Sequence, residues 1–536
     1  MARFPNFSLS EQQPANEDKN AAIQVFGRRF FKDQTPVEYL AEFLLVFASD
    51  KDENVTNAYS FPLYSSTPTV LHYHPPYKLT LKLFSFLAAS KLETRHRSHI
   101  DSFKDGIKEL ERRISAGSKI DHDDAVRLIQ GVFSGFVGVA GDRTWTAHTF
   151  LPASEGLLAR EVIWRHEGPK GAAKNPELTW DVALSRDYFN VNAHSFLARG
   201  GEHLYLQLTS LFNNHKEDAL TSLFDGNYAD NYAHLKSVGS LSQLRESLQK
   251  RLRQMLSESD QAIGPLGEFV SQAFDAAGVS SEGEKSSATL GWVPTETSTE
   301  ASLFAWEIDN ICAAQRSGLQ KISLLKDLCV LHVMRSLCFQ SARVTSAAIT
   351  SGFIGNYAWI VSPPGEQDSN NTKKIAINAY VDVENLLYDS LRRYDRYEEG
   401  IEPLDTVSRQ EWLHRGDDNV RSLFRKIGKQ IGVIVPRNGL GMRITLPAQI
   451  VRLMVAALVP PGTRIRLDKF HERIFAHYGL AINQETIHLA LASSCTQNAA
   501  DAFGIDSSWF EEELRRGGYL IPLSDAVALV LNPYKG

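Results

Sequence analysis

Apolar residues recur at helical spacing along most of this chain, and this periodicity is the feature that most limits the folds open to it. Residues 35–38 form a capping-box pattern, Thr-Pro-Val-Glu, with proline at the first helical position, which predicts a helix over 37–49. Residues 240–277 contain two amphipathic helical segments, and 300–350 is a long helical region. The chain is therefore predicted to be mainly α-helical.

A polar segment divides the chain. Residues 278–299 are rich in serine, threonine, glycine and glutamate, which is typical of a linker. Two apolar, β-branched runs, 358–364 and 373–381, flank the polar loop 365–372 and predict a β-hairpin. With 536 residues, 43% of them hydrophobic, the chain is long enough for several domains. The expected organisation is a flexible polar arm at 1–20, a helical domain at 21–277, the linker, a helical domain with the β-hairpin at 300–419, and a winged-helix-like domain with small β-hairpins at 420–536.

Neither a membrane span nor an export signal is predicted. No run of about 18 apolar residues occurs, which argues against a transmembrane helix. The first residues lack the apolar core that a secretory signal needs. The four cysteines have no C-x-x-C spacing, which is typical of buried thiols in a reducing compartment: Cys312, Cys329, Cys338 and Cys495. We therefore expect a cytoplasmic protein that does not bind a membrane.

Charge is distributed unevenly along the chain. Residues 421–480 contain eleven arginines and lysines against only Asp468 and Glu472, so this window has a net charge of +9. The whole chain has a net charge of −6, and the remaining residues therefore have a net charge of −15. Because a partner meets the local electric field and not the average, the basic window favours binding to a polyanion.

The basic window lies within a pattern that is typical of a winged helix. A basic helix at 420–432 and an extended piece at 442–445 precede helices at 448–460 and 464–479, and two apolar runs at the end predict a hairpin. A winged helix inserts one helix end into the major groove while basic residues hold phosphates. The residues expected to contact phosphates are Arg437, Arg443, Arg464, Arg466, Lys469 and Arg473, joined by Arg425, Lys426 and Lys429 on the basic helix.

The C-terminal residues also resemble a known family. The runs GMRITLPAQIVRLMVAAL and IRLDKFHERIFAHYGL, followed by the final hairpin, resemble the C-terminal module of the G subunit of Dnd-type, phosphorothioation-dependent restriction systems. The resemblance covers about the last 100 residues. It implies a subunit of a bacterial phage-defence complex that works beside an FtsK/HerA-like ATPase. A component of a related defence system fits the same pattern.

The histidines of this chain do not follow a known metal-binding pattern. His471 and Glu472 are followed by His477, and residues six apart lie on opposite sides of a helix, so a surface or packing role is expected. His72 and His74 would point to one side of an extended segment, but no cysteine or acid lies near them in the sequence. The sequence has no P-loop, Rossmann or nucleophile-elbow pattern. No catalytic residue, metal or cofactor is therefore predicted.

Residues 198–207 form an unusual polar cluster beside two glycines. Arg199, Glu202 and His203 surround Gly200-Gly201. One interpretation is a structural turn that contains a buried Arg–Glu pair. The other is a contact loop for nucleic acid or a partner, since glycines let a backbone approach a phosphate.

The function expected from the sequence is a non-catalytic one. The chain is predicted to be a DNA-binding or assembly subunit of a bacterial anti-phage, restriction-like complex, with DNA and an ATPase or nuclease subunit as partners. Two alternatives remain: a divergent metal-dependent nuclease or other enzyme with its site in residues 140–215, and an interaction scaffold that binds only proteins.

Overall fold

Helices dominate the part of the chain that the computed structural model describes, as the periodicity predicts. Within that part, no helix is long and apolar enough to cross a membrane. The residues described are 2–6, 20–27, 30, 34–52, 57–75, 112, 158, 200–214, 229–276, 287–345, 353–363, 370–393, 408–492, 505–524 and 527–536.

The elements fall into a first half and a second half along the chain. Those before residue 298 are β1 (Arg3–Phe4), α1 (Ala21–Phe26), α2 (Pro36–Ala48), β2 (His72–Tyr73), α3 (Gly200–Phe212), a 3₁₀ helix (Ala233–Val238), α4 (Leu241–Ala276), β3 (Ala288–Thr289), β4 (Val293–Pro294) and a second 3₁₀ helix (Thr295–Thr297). Those that follow are α5 (Ser298–Ala313), α6 (Gly318–Thr345), β5 (Trp359–Ile360), α7 (Asn370–Ser390), α8 (Arg409–Asp417), a π-helical turn (Asp418–Ser422), α9 (Leu423–Gln430), β6 (Ile434–Val435), β7 (Arg443–Ile444), α10 (Ala448–Leu458), β8 (Arg464–Arg466), α11 (Leu467–Tyr478), β9 (Leu480–Ala481), α12 (Gln484–Ala492), α13 (Ser508–Arg516), β10 (Leu520–Ser524) and β11 (Val527–Leu531).

Helix α2 begins at the predicted capping box. The Thr35 hydroxyl accepts a hydrogen bond from the Glu38 backbone N–H, and the Glu38 carboxylate accepts one from the Thr35 backbone N–H at 2.5 Å. Two N–H groups that the first helical turn leaves unpaired are thus satisfied by side chains. The predicted helix start is confirmed.

Helix α3 begins at the diglycine and packs directly on α2. A Cβ atom at Gly201 would lie 2.4 Å from the Phe43 backbone nitrogen and 2.5 Å from the Tyr39 carbonyl oxygen. The Gly201 N–H donates to the Glu42 carboxylate at 2.6 Å. The two glycines therefore allow backbone-to-backbone contact between the helices.

Replacing Gly201 with alanine is expected to lower the free energy of unfolding by about 1 to 3 kcal/mol, because the added carbon forces α2 and α3 apart. Urea denaturation of the two proteins measures the difference. Gly536→Ala is the matched control, since its added carbon would meet Pro461 at an ordinary 3.5 Å. Equal stability of Gly201→Ala and the unmodified protein would contradict this account of the contact.

Two short antiparallel ladders join residues 3–4 and 72–73 to the predicted linker. Strand β1 pairs with β4, and β2 pairs with β3. Phe4, Leu290 and Trp292 are buried. The predicted polar arm is therefore corrected at residues 3–4, and the predicted linker at 287–299. The physical reason is that a few large apolar side chains in a polar segment gain enough from burial to order it.

The predicted hairpin in the 300–419 region is not present. Residues 373–381 belong to helix α7, and β5 pairs in parallel with β9. Ile375, Ala376 and Ala379 are buried at helical spacing against α6. A short apolar run satisfies both the strand and the helix pattern, and packing on α6 selects the helix.

The end of the chain forms a three-stranded antiparallel sheet in the order β10–β11–β8. The β10–β11 hairpin confirms the prediction for the last residues, and β8 adds to its edge through the pairing of Arg464 with Leu531. Helices α11, α12 and α13 lie between β8 and β10 in the sequence. A separate hairpin, β6–β7, follows α9.

One hydrophobic core continues from Phe4 to Val530. Helix α5 is at its centre and contacts α3, α4, α6 and α10. The Asn310 amide on α5 donates to the Ala457 carbonyl oxygen on α10 at 2.9 Å. Buried contacts thus cross the expected domain boundaries at 278–299 and at 419–420.

Candidate nucleic-acid interface

Helix α9 is strongly amphipathic. Leu423, Phe424 and Ile427 are buried against the core, whereas three cationic side chains on the opposite side are partly exposed: Arg425, Lys426 and Lys429. An α-helix has about 3.6 residues per turn, so apolar residues three and four positions apart lie on one side and determine which side faces the core. The sequence prediction of a basic helix face in this segment agrees with the positions of these residues.

The β6–β7 hairpin continues directly from α9. Ile434 pairs with Ile444, and Val435 pairs with Arg443. Arg437 and Leu440 are exposed in the connecting loop. We refer to the exposed side of α9 together with this hairpin as the α9–hairpin surface; its cations are Arg425, Lys426, Lys429, Arg437 and Arg443.

Some of these cations have partners within the chain. Arg425 forms a bidentate pair with Glu384, whose hydrogen bond and charge raise the pKa of the guanidinium. The Arg443 Nε donates to the Ser362 hydroxyl at 3.0 Å. Lys429 and Arg437 make no ion pair within the described part of the chain. Their charges therefore remain available to an external anion.

Helix α7 adds two cations that the sequence prediction missed. Lys373 and Lys374 are exposed in its first turns, and a Cβ at Gly441 in the hairpin loop would lie 3.4 Å from the Ile377 Cδ1 one turn further on. The predicted hairpin places both lysines on a strand. A helical interpretation of 373–381 would have placed them on the solvent side of α7.

The other four predicted phosphate contacts lie on β8 and α11. Arg466 pairs with Asp468 at 2.7 Å, and Lys469 pairs with Glu472 at 2.7 Å. The Arg473 guanidinium donates to the Leu458 carbonyl oxygen at 2.7 Å, and burial lowers its pKa to about 10. This group therefore presents a weaker positive field than its composition indicates.

Arg464 is the exception in this group. It is exposed on β8 and makes no ion pair among the residues that the structure describes. The nine predicted cations thus divide between the α9–hairpin surface and the β8–α11 group.

Helix α13, which directly precedes the final hairpin, is acidic. Glu511, Glu512 and Glu513 follow one another, and the only cations of the helix pair with two of them: Arg515 with Glu512 at 2.6 Å, and Arg516 with Glu513 at 2.9 Å. A helix with excess negative charge repels phosphate groups. The two arginines of α13 are therefore compensated by its glutamates, and the helix has a net charge of −1.

The predicted contact loop around Glu202 and His203 requires correction. Both residues lie on α3 and are buried, so neither is available to nucleic acid. The Tyr73 hydroxyl donates to Glu202 at 2.7 Å, and burial lowers the pKa of His203 to about 3. The diglycine starts a packed helix, and this packing buries the residues that follow it. Arg199 lies outside the described residues.

A buried charged cluster connects four elements of the core. Arg335 on α6 forms two hydrogen bonds with Glu307 on α5, at 2.7 and 2.9 Å, and all of these atoms are inaccessible to solvent. His477 on α11 donates from Nδ1 to Glu307 at 2.8 Å, and its Nε2 lies 2.7 Å from the Nε2 of His234. We call these four residues the Glu307 cluster.

The charges within the Glu307 cluster compensate one another. Burial alone would raise the pKa of Glu307, but the charge of Arg335 and the hydrogen bond from His477 outweigh it and lower that pKa. Burial lowers the pKa of His477 despite the opposing effect of Glu307. One acid and one permanent cation thus compensate each other, with neutral histidines around them. This cluster holds the core together and offers no open site.

The sequence carried only a weak signal of the Glu307 cluster. Its members are far apart in the chain, but Arg335 is a single charged residue within an apolar helical run, and Glu307 lies with Asp309 in another. Charged residues are rarely buried without a partner, so two such residues indicate an internal pair. His471 is buried beside Phe510 with ring centroids 5.3 Å apart, which confirms a packing role.

Among the described residues, no three histidine, cysteine, aspartate or glutamate side chains are placed to hold a metal ion. The proposed nuclease segment 140–215 lies mostly outside those residues. No protein-family model, curated protein or solved structure matches this chain.

Proposed function

We propose that this chain is a non-catalytic DNA-binding subunit and that the α9–hairpin surface contacts the phosphate backbone. The observation that carries the proposal is that three successively packed elements carry exposed or partly exposed cations. Of these, Lys429, Arg437, Lys373 and Lys374 are not neutralised by ion pairs in the described part of the chain. Lysine and arginine at a surface bind DNA chiefly by releasing counterions from phosphates.

The C-terminal residues support a winged-helix-like unit. The order α10, β8, α11, α12, α13, β10, β11, with β8 paired to β11, follows the helix–strand–helix–helix–strand–strand order of that fold with one additional helix. Helix α13 takes the position of the recognition helix, yet it is acidic. We therefore assign the DNA contact to α9 and the β6–β7 hairpin instead of to α13.

Salt dependence tests the proposal. Four phosphate contacts predict that the affinity for a labelled DNA duplex falls about 100-fold between about 50 and 200 mM salt. The double variant Lys429→Ala with Arg437→Ala should reduce the slope of log affinity against log salt by about 2, because each lost contact removes about 0.9.

Arg515→Ala with Arg516→Ala on α13 is the matched control, since it also removes two cationic side chains that reach solvent. It should leave the slope unchanged. Failure of the unmodified protein to bind duplex at low salt would overturn the proposal. So would equal loss of affinity in the two double variants.

A second candidate is an assembly role. The 60% exposed Leu523 of the final hairpin, next to the ion-paired charges of α13, fits a protein partner better than it fits DNA. The resemblance to the Dnd G subunit supports an ATPase or nuclease of a bacterial defence complex as that partner. The two roles are compatible because they use different surfaces.

A further inference from the structure

The tip of the β6–β7 hairpin carries an exposed leucine. Leu440 has 96% of its surface accessible, more than any other large hydrophobic side chain that the structure describes. It lies between Gly439 and Gly441, whose φ angles are +101° and +77°. These conformations favour glycine and turn the leucine outward, away from the core. Because the Leu440 side chain stays in solvent, its apolar surface contributes no burial free energy to folding.

The hairpin holds this leucine on a rigid base. Ile444 is buried and is bridged to Val361, and the Ser362 N–H donates to the Ile444 carbonyl oxygen at 2.9 Å. At the start of the hairpin, Val433 accepts a hydrogen bond from the Thr445 N–H at 2.8 Å. The second strand is thus bonded to residues 361–362, and the first strand is held by its pairing with the second and by the burial of Val433 and Ile434. A group presented from such a base loses little conformational freedom when it binds.

Cations lie in the same loop as the leucine and on a neighbouring helix. Arg437 precedes it in the same loop, and Lys373 and Lys374 lie on α7, which contacts β7. An exposed apolar side chain at a hairpin tip, with a cation in its own loop and two on the adjacent helix, matches the minor-groove proteins that insert a leucine between base pairs while basic residues hold the backbone.

We infer that Leu440 is a wedge that enters the minor groove of duplex DNA and unstacks one base step. This inference rests on the proposed DNA-binding function. The α9–hairpin surface supplies the electrostatic attraction, and Leu440 supplies the deformation. The bound duplex is therefore kinked at the position of the hairpin.

The test compares the full-length protein with Leu440→Ala on a duplex that carries 2-aminopurine at its centre and a fluorescent dye at each end. The unmodified protein should raise the 2-aminopurine fluorescence and shorten the distance between the dyes. Leu440→Ala should abolish both changes and weaken binding by about tenfold, with an unchanged salt slope. Leu523→Ala, the other exposed leucine near the C-terminus, is the control and should behave like the unmodified protein.

The outcomes separate the two proposals. Binding without unstacking or bending by the unmodified protein would overturn the wedge and leave DNA binding intact. Loss of affinity in Leu440→Ala without any change in stacking or bend would also overturn it, and would make Leu440 a surface contact. If the unmodified protein does not bind duplex at low salt, both proposals fail together. Because Leu440 is exposed, its truncation does not affect folding.

Discussion

Replacing Glu307 with alanine is expected to lower the free energy of unfolding by about 3 to 5 kcal/mol. The change leaves Arg335 as a permanent charge with no solvent access and no acidic partner, and it removes the acceptor of His477. A buried guanidinium does not become neutral by losing a proton, so the uncompensated charge raises the free energy of the folded state. Urea denaturation followed by circular dichroism measures the loss.

Glu472→Ala supplies the comparison for this variant. Glu472 forms an exposed pair with Lys469, and such pairs contribute at most about 1 kcal/mol. A loss below about 1 kcal/mol for Glu307→Ala would contradict the role assigned to the Glu307 cluster. Replacing Glu307 and Arg335 together with leucine should cost less than Glu307→Ala, because no uncompensated charge remains.

Acidification is expected to destabilise the protein steeply between pH 6.5 and about 4. Burial lowers the pKa of His203 to about 3 and that of His471 to about 4, and it also lowers the pKa of His332 and His477. In the unfolded chain these side chains titrate at about 6.5. Below that pH the unfolded state binds protons that the folded state excludes, so stability is lost as the pH falls. His203 and His471 together give a slope of about 3 kcal/mol per pH unit.

His471→Leu isolates one contribution to this slope. The variant keeps an apolar side chain beside Phe510 and removes one proton-binding site, so the slope between pH 6 and 5 should fall by about 1.4 kcal/mol per pH unit. His488→Gln, at an exposed position, is the control. A pH dependence that stays the same in His471→Leu would show that this histidine is not excluded from protonation in the folded protein.

Local patterns predicted the local structure of this chain well. The helical class, the start of α2 and the final hairpin are confirmed, because each depends on interactions between residues close in sequence. The capping box at Thr35 is the clearest example, since both of its hydrogen bonds span only three residues.

Predictions that depended on distant contacts were less successful. Residues 373–381 became a helix because α6 covers their apolar side, and residues 287–299 became ordered because strands from the start of the chain pair with them. The sequence gives the number of cations in 421–480. It does not show that the Arg473 guanidinium is bonded to the Leu458 carbonyl oxygen, or that Arg466 and Lys469 form ion pairs with acidic neighbours. The Glu307 cluster depends entirely on the tertiary fold.

The pairing of β1 with β4 and of β2 with β3 also sets the order of events during synthesis. A ribosome adds about 5 to 20 residues per second, so residue 293 is made about 15 to 60 seconds after residue 3. Until then the partners of the early strands have not been synthesised. Helices α2 and α3 likewise lack α5 and α6, against which they pack in the folded protein. The nascent chain therefore exposes apolar surface for much of its translation, until the second half of the core has been synthesised.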